Sequence, residues 1–223
     1  MDSLTHGLTG ALVCDALPFT KRFGPKAPLA AAIASMAPDL DMLPAIIANF
    51  PPKSFSFFGL MNEEMVTVYH RSYSHSFFYM ALASIPLGWL AWRWGKKLGS
   101  WPLWSLMLML AFFLHTILDL TNIWGVRAWL PFSARSSAMG ILPLTEPVIL
   151  IAASAVFFLN HLLRDSYPDP NVPVPLQPNW RKKTSTFLNR VIGPTTLGAL
   201  GMAVVVGRIV WAIANEPDMS GWF

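Results

Sequence analysis

The sequence predicts an all-α, polytopic membrane helix bundle of about five or six helices, with a metal site at one membrane face. Three observations predict it. The chain of 223 residues is 54% hydrophobic and only 13% charged, against about 25% charged in ordinary soluble domains, and its mean hydropathy is +0.46. Its apolar residues gather into runs, the clearest near the roughly 20 residues a bilayer requires. Its histidines, with the aspartates that accompany them, stand mostly at the ends of those runs.

The elements follow in chain order. Leu4 to Phe19 is apolar with small residues (Gly7, Gly10, Ala11), long enough for a short helix but marginal as a full span. Ala27 to Phe50 is apolar again and is interrupted by Pro38-Asp39-Leu40-Asp41. Pro38 lacks an N–H and breaks or kinks a helix there. Pro51 to Val68 carries Phe, Gly, Pro and the pair Glu63-Glu64, and reads as an interfacial loop or lid. Phe77 to Trp94 and Trp101 to Thr121 are the clearest spans, joined by the basic hairpin Gly95 to Ser100. Asn122 to Thr145 is a polar-faced loop holding Arg127, Ser133 and Arg135, and Val148 to Leu163 is a further apolar run. Asp165 to Asn179 contains five prolines, too many for regular structure. The last span is Val191 to Ala214. The chain therefore divides into a metal-site membrane domain (1–164), a Pro-rich linker with a basic segment (165–189) and a C-terminal transmembrane helix (190–223).

Composition narrows the class. Net charge is +4, yet the basic residues flank apolar runs, so nucleic acid is not an expected partner. The lone Cys14 excludes an internal disulfide. The start, Met1-Asp2-Ser3-Leu4-Thr5-His6, lacks the basic opening of a secretory signal and reads as part of the mature protein. If the runs alternate across a membrane, Lys21, Arg22, Lys26, Arg93, Lys96, Lys97, Arg164, Arg181, Lys182, Lys183 and Arg190 share one side. The other side receives Lys53, Arg71, Arg127 and Arg135, leaving Arg208 within the last span. Positive charge marks the cytoplasmic side. His6, Asp39, Asp41, His70, His75, His115 and Asp119 then all fall on the non-cytoplasmic side.

These residue types suit a divalent metal. His115 and Asp119 are four apart and share one helix face. Asp39 and Asp41 flank a proline turn and can present two carboxylates together. His70 and His75 lie about 140° apart on an ideal helix, so they converge only if His70 stays in the loop and His75 opens the helix. Imidazole with carboxylate favours zinc, with manganese or iron as alternatives. Four imidazoles and three carboxylates exceed one tetrahedral site, so two or three ions are expected, able to activate water for phosphoester hydrolysis. The plainer readings are a hydrogen-bonded core imidazole for His115 and a helix N-cap at Met42 for Asp39 and Asp41.

Four stretches carry a resemblance: Met1-Asp2-Ser3-Leu4-Thr5-His6-Gly7, Pro38-Asp39-Leu40-Asp41, His70-Arg71-Ser72-Tyr73-Ser74-His75-Ser76 and His115-Thr116-Ile117-Leu118-Asp119. In this order they resemble the YdjM family of inner-membrane proteins described as metal-dependent hydrolases. Trp129 to Ser133 is also similar, and Glu146-Pro147 stands where that family commonly shows Asp-Pro. More distantly, the pattern is similar to the zinc-dependent phospholipase C and single-strand nuclease superfamily. The resemblance implies metal ligands at His6, Asp39, Asp41, His70, His75, His115 and Asp119, and hydrolysis of a phosphoester of a lipid or lipid-linked substrate. Arg71, Arg127 and Arg135 are expected to hold phosphate oxygens, since Arg suits bidentate contacts. Glu63 or Glu64 is the candidate base. The rival readings are a metal-ion transporter, which wants ligands near the bilayer midplane, and a non-enzymatic membrane protein with a structural metal. No His-Glu-x-x-His occurs, which argues against a metalloprotease.

Overall fold

The computed structural model describes residues 2–17, 19–24, 26–43, 70–95, 98–143, 146–163 and 194–215. The candidate bases Glu63 and Glu64, the centre of the basic hairpin (Lys96, Lys97) and the linker 165–189 lie outside the described residues.

Helix α1 (Ser3–Ala16) starts where Asp2 caps it, its carboxylate accepting from Thr5 N at 2.9 Å, and that bond satisfies one of the helix's orphan donors. The run predicted to reach Phe19 as one helix instead stops at Ala16, and a short α2 (Phe19–Phe23) follows. Helix α3 (Ala27–Met36) gives way at Pro38 to a 3₁₀ turn over Ala37–Met42. This is the break that a proline without an N–H imposes. A second 3₁₀ turn, Tyr73–His75, leads into α4 (Phe77–Trp94). Helices α5 (Trp101–Leu120), α6 (Pro147–Leu163) and α7 (Pro194–Asn215) complete the bundle. Between α5 and α6 the chain is irregular, tied by one antiparallel bridge between Val126 and Ser137.

Helix α1 is the hub. It packs against α3, α5, α6 and α7, while α4 lies along α5. Small residues permit the approach: a Cβ on Gly10 would stand 2.7 Å from the Ala31 carbonyl and 2.5 Å from Ser35 Cβ. Two apolar clusters result. One joins Cys14, Phe19 and Phe23 to Ala27, Ala31, Trp104, Met107 and Phe112. The other joins Leu12 and Leu118 to Ile149, Ala153, Val205 and Ala212. The C-terminal helix, separated in sequence by the linker, thus packs onto α1 and α6. Helices 101–120 and 195–215 are long and apolar enough to cross a membrane, and 147–160 is apolar but shorter. Outward-facing Leu82, Ile85, Trp89, Leu200, Val206 and Trp211 leave much of the bundle's surface apolar, as a lipid solvent favours.

Candidate metal centre

Five segments deliver polar side chains to one end of the bundle. His6 comes from the second turn of α1, Asp39 and Asp41 from the 3₁₀ turn after α3, and His70 from the loop. His75 ends the 3₁₀ turn before α4, and His115 and Asp119 occupy the last turns of α5. The conditional geometry for His70 and His75 is met: His70 is in the loop, His75 sits just ahead of α4, and their rings meet edge-on at 5.5 Å.

Asp39, His75, His115 and Asp119 form the tightest group, each offering a ligand atom within 4.8 Å of the others. His75 Nε2 is 3.6 Å from Asp39 Oδ1 and 3.4 Å from Asp119 Oδ2. His115 Nε2 is 3.6 and 3.7 Å from the same two oxygens. Both nitrogens are buried and have no hydrogen-bond partner. Bonds of about 2.0–2.2 Å to a tetrahedral ion put neighbouring donors about 3.3–3.6 Å apart. The observed separations are too long for good hydrogen bonds and close to that spacing. Two carboxylates and two neutral imidazoles also match the charge of a divalent cation, whose binding requires deprotonated ligands. The residues present fit a metal.

The surrounding groups aim these donors. His115 Nδ1–H donates to the Ser35 carbonyl at 2.6 Å, leaving Nε2 as the lone-pair nitrogen facing the group. Ligand imidazoles are held in this way by their second nitrogen. His75 Nδ1 pairs with Ser74 Oγ at 2.9 Å. Asp39 Oδ2 accepts from Ser3 Oγ at 2.7 Å. Asp39 and Asp41 both lie inside the 3₁₀ turn, where Asp39 faces His75 and His115 of the cluster and Asp41 faces His70.

Asp41 and His70 are engaged otherwise. Asp41 takes His70 Nδ1 at 2.7 Å, the Ser74 hydroxyl and the Arg71 N–H, and His70 Nε2 accepts from Arg71 Nε at 3.3 Å. They brace the segment carrying His75. His6 stacks on His115 with ring centroids 3.8 Å apart and holds Asp119 Oδ1 at 3.1 Å through Nε2. Its buried Nδ1 has no hydrogen-bond partner.

Charge within the site is uneven. Burial pushes the Asp39 carboxyl up, but His75, His115 and Ser3 outweigh it and hold the group well below the usual carboxylate range. Burial pushes the His75 imidazole down, and Asp119 and Asp39 reverse this, leaving it above its ordinary value. A mutually attracting His–carboxylate pair is the state that a metal ion replaces.

Of the predicted phosphate-binding arginines, Arg71 reaches the cluster, with Nη2 3.6 Å from Asp119 Oδ2 and Nη1 donating to Asn122 Oδ1 at 3.0 Å. Arg127 sits beside the same segment, Nη1 3.4 Å from Ser72 Oγ. Arg135 is exposed on the loop, and no described hydrogen bond or ion pair joins its guanidinium to the cluster. Glu146 is not a ligand among the described residues: it pairs with Arg208 at 3.2 Å across α6 and α7. Asn122 was missed in the sequence. It is fully buried and donates to Asp119 Oδ1 at 3.2 Å. The signal for it was its place one turn beyond Asp119.

A family model described as YdjM inner membrane protein matches residues 1–215. No curated protein and no solved structure matches the chain.

Proposed function

The chain belongs to the YdjM inner membrane protein family, and from that premise we propose that it is a membrane-embedded, metal-dependent hydrolase of a lipid or lipid-linked phosphoester. The observation that carries this reading is the convergence of Asp39, His75, His115 and Asp119, with donor atoms within 4.8 Å of one another. One ion is the occupancy the four support best, and zinc suits the mixed nitrogen and oxygen donors, with manganese or iron as alternatives. When bound, such an ion supplies Lewis acidity, polarising a phosphoryl oxygen and making water a stronger nucleophile.

The chain's own residues do the rest. Arg71 and Arg127, on either side of Ser72, hold phosphate oxygens at the lip. Asn122 and His6 keep the Asp119 carboxylate aimed inward. Asp41 and His70 keep the 70–76 segment in register. Glu63 or Glu64 is the proposed base, and Arg135 a peripheral anion contact. The centre faces the non-cytoplasmic side of a multi-pass inner-membrane protein. The transport reading gains little from α5, because Leu106 to Leu114, on the membrane side of His115, is wholly apolar.

The test is elemental analysis of purified protein with a phospholipid hydrolysis screen. Wild type should hold close to one divalent ion per chain, and His75→Ala and His115→Ala should each weaken metal binding by more than about tenfold, since even outer-shell losses cost 10–100-fold. Lipid phosphoester cleavage should vanish with chelator and return with added metal. Wild-type metal content in both variants would remove the basis of the reading.

A further inference from the structure

We propose that the site takes an anionic phospholipid, one of whose acyl chains lies in an apolar groove that descends along α4 from the cluster. The phosphoester half of this statement rests on the hydrolase reading above; the groove stands on separate observations.

The groove has a volume of about 510 Å³, and its walls include Pro38, Ser74, Tyr79, Ala83, Leu87 and Phe112. Its upper rim carries the chain neighbours of two cluster residues. Pro38 immediately precedes Asp39, and Ser74 precedes His75 and donates its hydroxyl to Asp41. Below the rim, Tyr79, Ala83 and Leu87 recur every four residues, so they form one stripe down α4. Eight residues of helix cover about 12 Å. The opposite wall is Phe112, one turn from His115 toward the interior of the bundle. Polar donors therefore stand at one end and apolar surface fills the two turns beneath.

This polarity selects the occupant. A water-soluble phosphoester has nothing to place in a slot of alkyl and aromatic side chains. A phospholipid has a phosphate for the cluster and a chain for the slot, in the order a bilayer presents them. The charge agrees, because Arg71 Nη2 lies 3.6 Å from Asp119 of the cluster and Arg127 Nη1 lies 3.4 Å from Ser72, the residue before Tyr73 of the groove wall, matching an anionic headgroup. The apolar, outward-facing side of α4 (Phe78, Leu82, Ile85) continues beside the slot, so a lipid can enter sideways from the bilayer.

The experiment uses the full chain in nanodiscs containing phosphatidylglycerol with a diazirine on one acyl chain. Photolysis should label residues 79–87 and Phe112 well above the exposed face of α7. Ala83→Trp, which places a bulky ring in the slot, should reduce that label about fivefold by direct clash, with metal content unchanged as the check on folding. Leu87→Trp, at the lower end, should exclude a probe carried at the chain terminus more than one carried near the glycerol. Even labelling of α4 and α7 that neither substitution alters would overturn the proposal. Turnover supplies the second arm: the ratio of kcat/KM for long-chain phosphatidylglycerol to that for bis(p-nitrophenyl) phosphate should fall about tenfold in Ala83→Trp. An unchanged ratio would overturn the groove and leave the hydrolase reading standing. Labelling of the groove in a protein that hydrolyses neither compound would support the groove and overturn the hydrolase reading.

Discussion

Two buried acids, Asp119 and Glu146, are matched in different ways, and the difference assigns their roles. Asp119 meets His6, His75, His115 and Arg71, a surplus of nitrogen partners around one carboxylate. Glu146 meets Arg208 alone among the described ion pairs, and also caps α6 by accepting from Val148 N at 3.2 Å. The Arg208 guanidinium lies 4.7 Å from the centroid of the Trp211 ring. Removing one member of a buried pair strands the other's charge and costs about 3–5 kcal/mol. With the Arg208 side chain 21% exposed, Glu146→Ala should fall toward about 2–3 kcal/mol after screening is allowed for. Detergent thermal unfolding checks this, and Arg208→Met should recover part of the loss in the double variant while metal content stays constant. Asn122→Ala should act at the other acid. It removes the donor to Asp119 Oδ1 and the acceptor of Arg71, so affinity for a divalent metal should drop about 10–100-fold with little change in fold, read by competitive metal titration.

At the scale of elements, the site depends on how closely helices approach. His75 enters with α4 and His115 rides on α5, so the spacing of these two helices sets the distance between their imidazoles. That spacing is set by Gly88: a Cβ there would stand 2.4 Å from both Ser105 N and Ser105 Cα. Backbone atoms cannot turn aside as a flexible side chain can. Gly88→Leu should therefore push α4 outward and destabilise the bundle by about 1–3 kcal/mol, with metal affinity falling in parallel. Gly88→Ala should do the same more weakly. A Leu variant with unchanged melting temperature and metal affinity would show that the helices are not in contact at this level. The Ser105 hydroxyl, which donates to the carbonyl of Ile85 at 3.3 Å just ahead of Pro86, ties the same crossing.

For the whole molecule, the sequence implies an orientation. If the apolar runs alternate across a membrane, most basic residues fall on the side opposite the candidate ligands, and positive charge is retained in the cytoplasm. A reporter fused after Lys97 should read cytoplasmic, and one placed in the 122–143 loop should read external. The reverse result would move the chemistry to the cytoplasm. The same loop carries Ile123, Trp124, Trp129 and Phe132 exposed beside the site, aromatic and apolar surface that suits headgroup depth.

Much of this was legible in the linear sequence, because a bilayer acts locally: it demands apolar runs of set length and makes any polar residue at their ends conspicuous. The positions of α4, α5 and α6 and the break at Pro38 follow from that demand. The sequence could not separate donors from supports. His70 and His75 look alike on paper, yet His70 has both nitrogens engaged by Asp41 and Arg71, whereas His75 Nε2 is left facing two carboxylates. Nor could it tell that Glu146 answers Arg208 from 62 residues away, or that α1 is the buried hub rather than a marginal span. Spacing along one helix encodes which side chains share its face. Which atoms meet between helices depends on packing partners distant in sequence, and only the tertiary structure decides that.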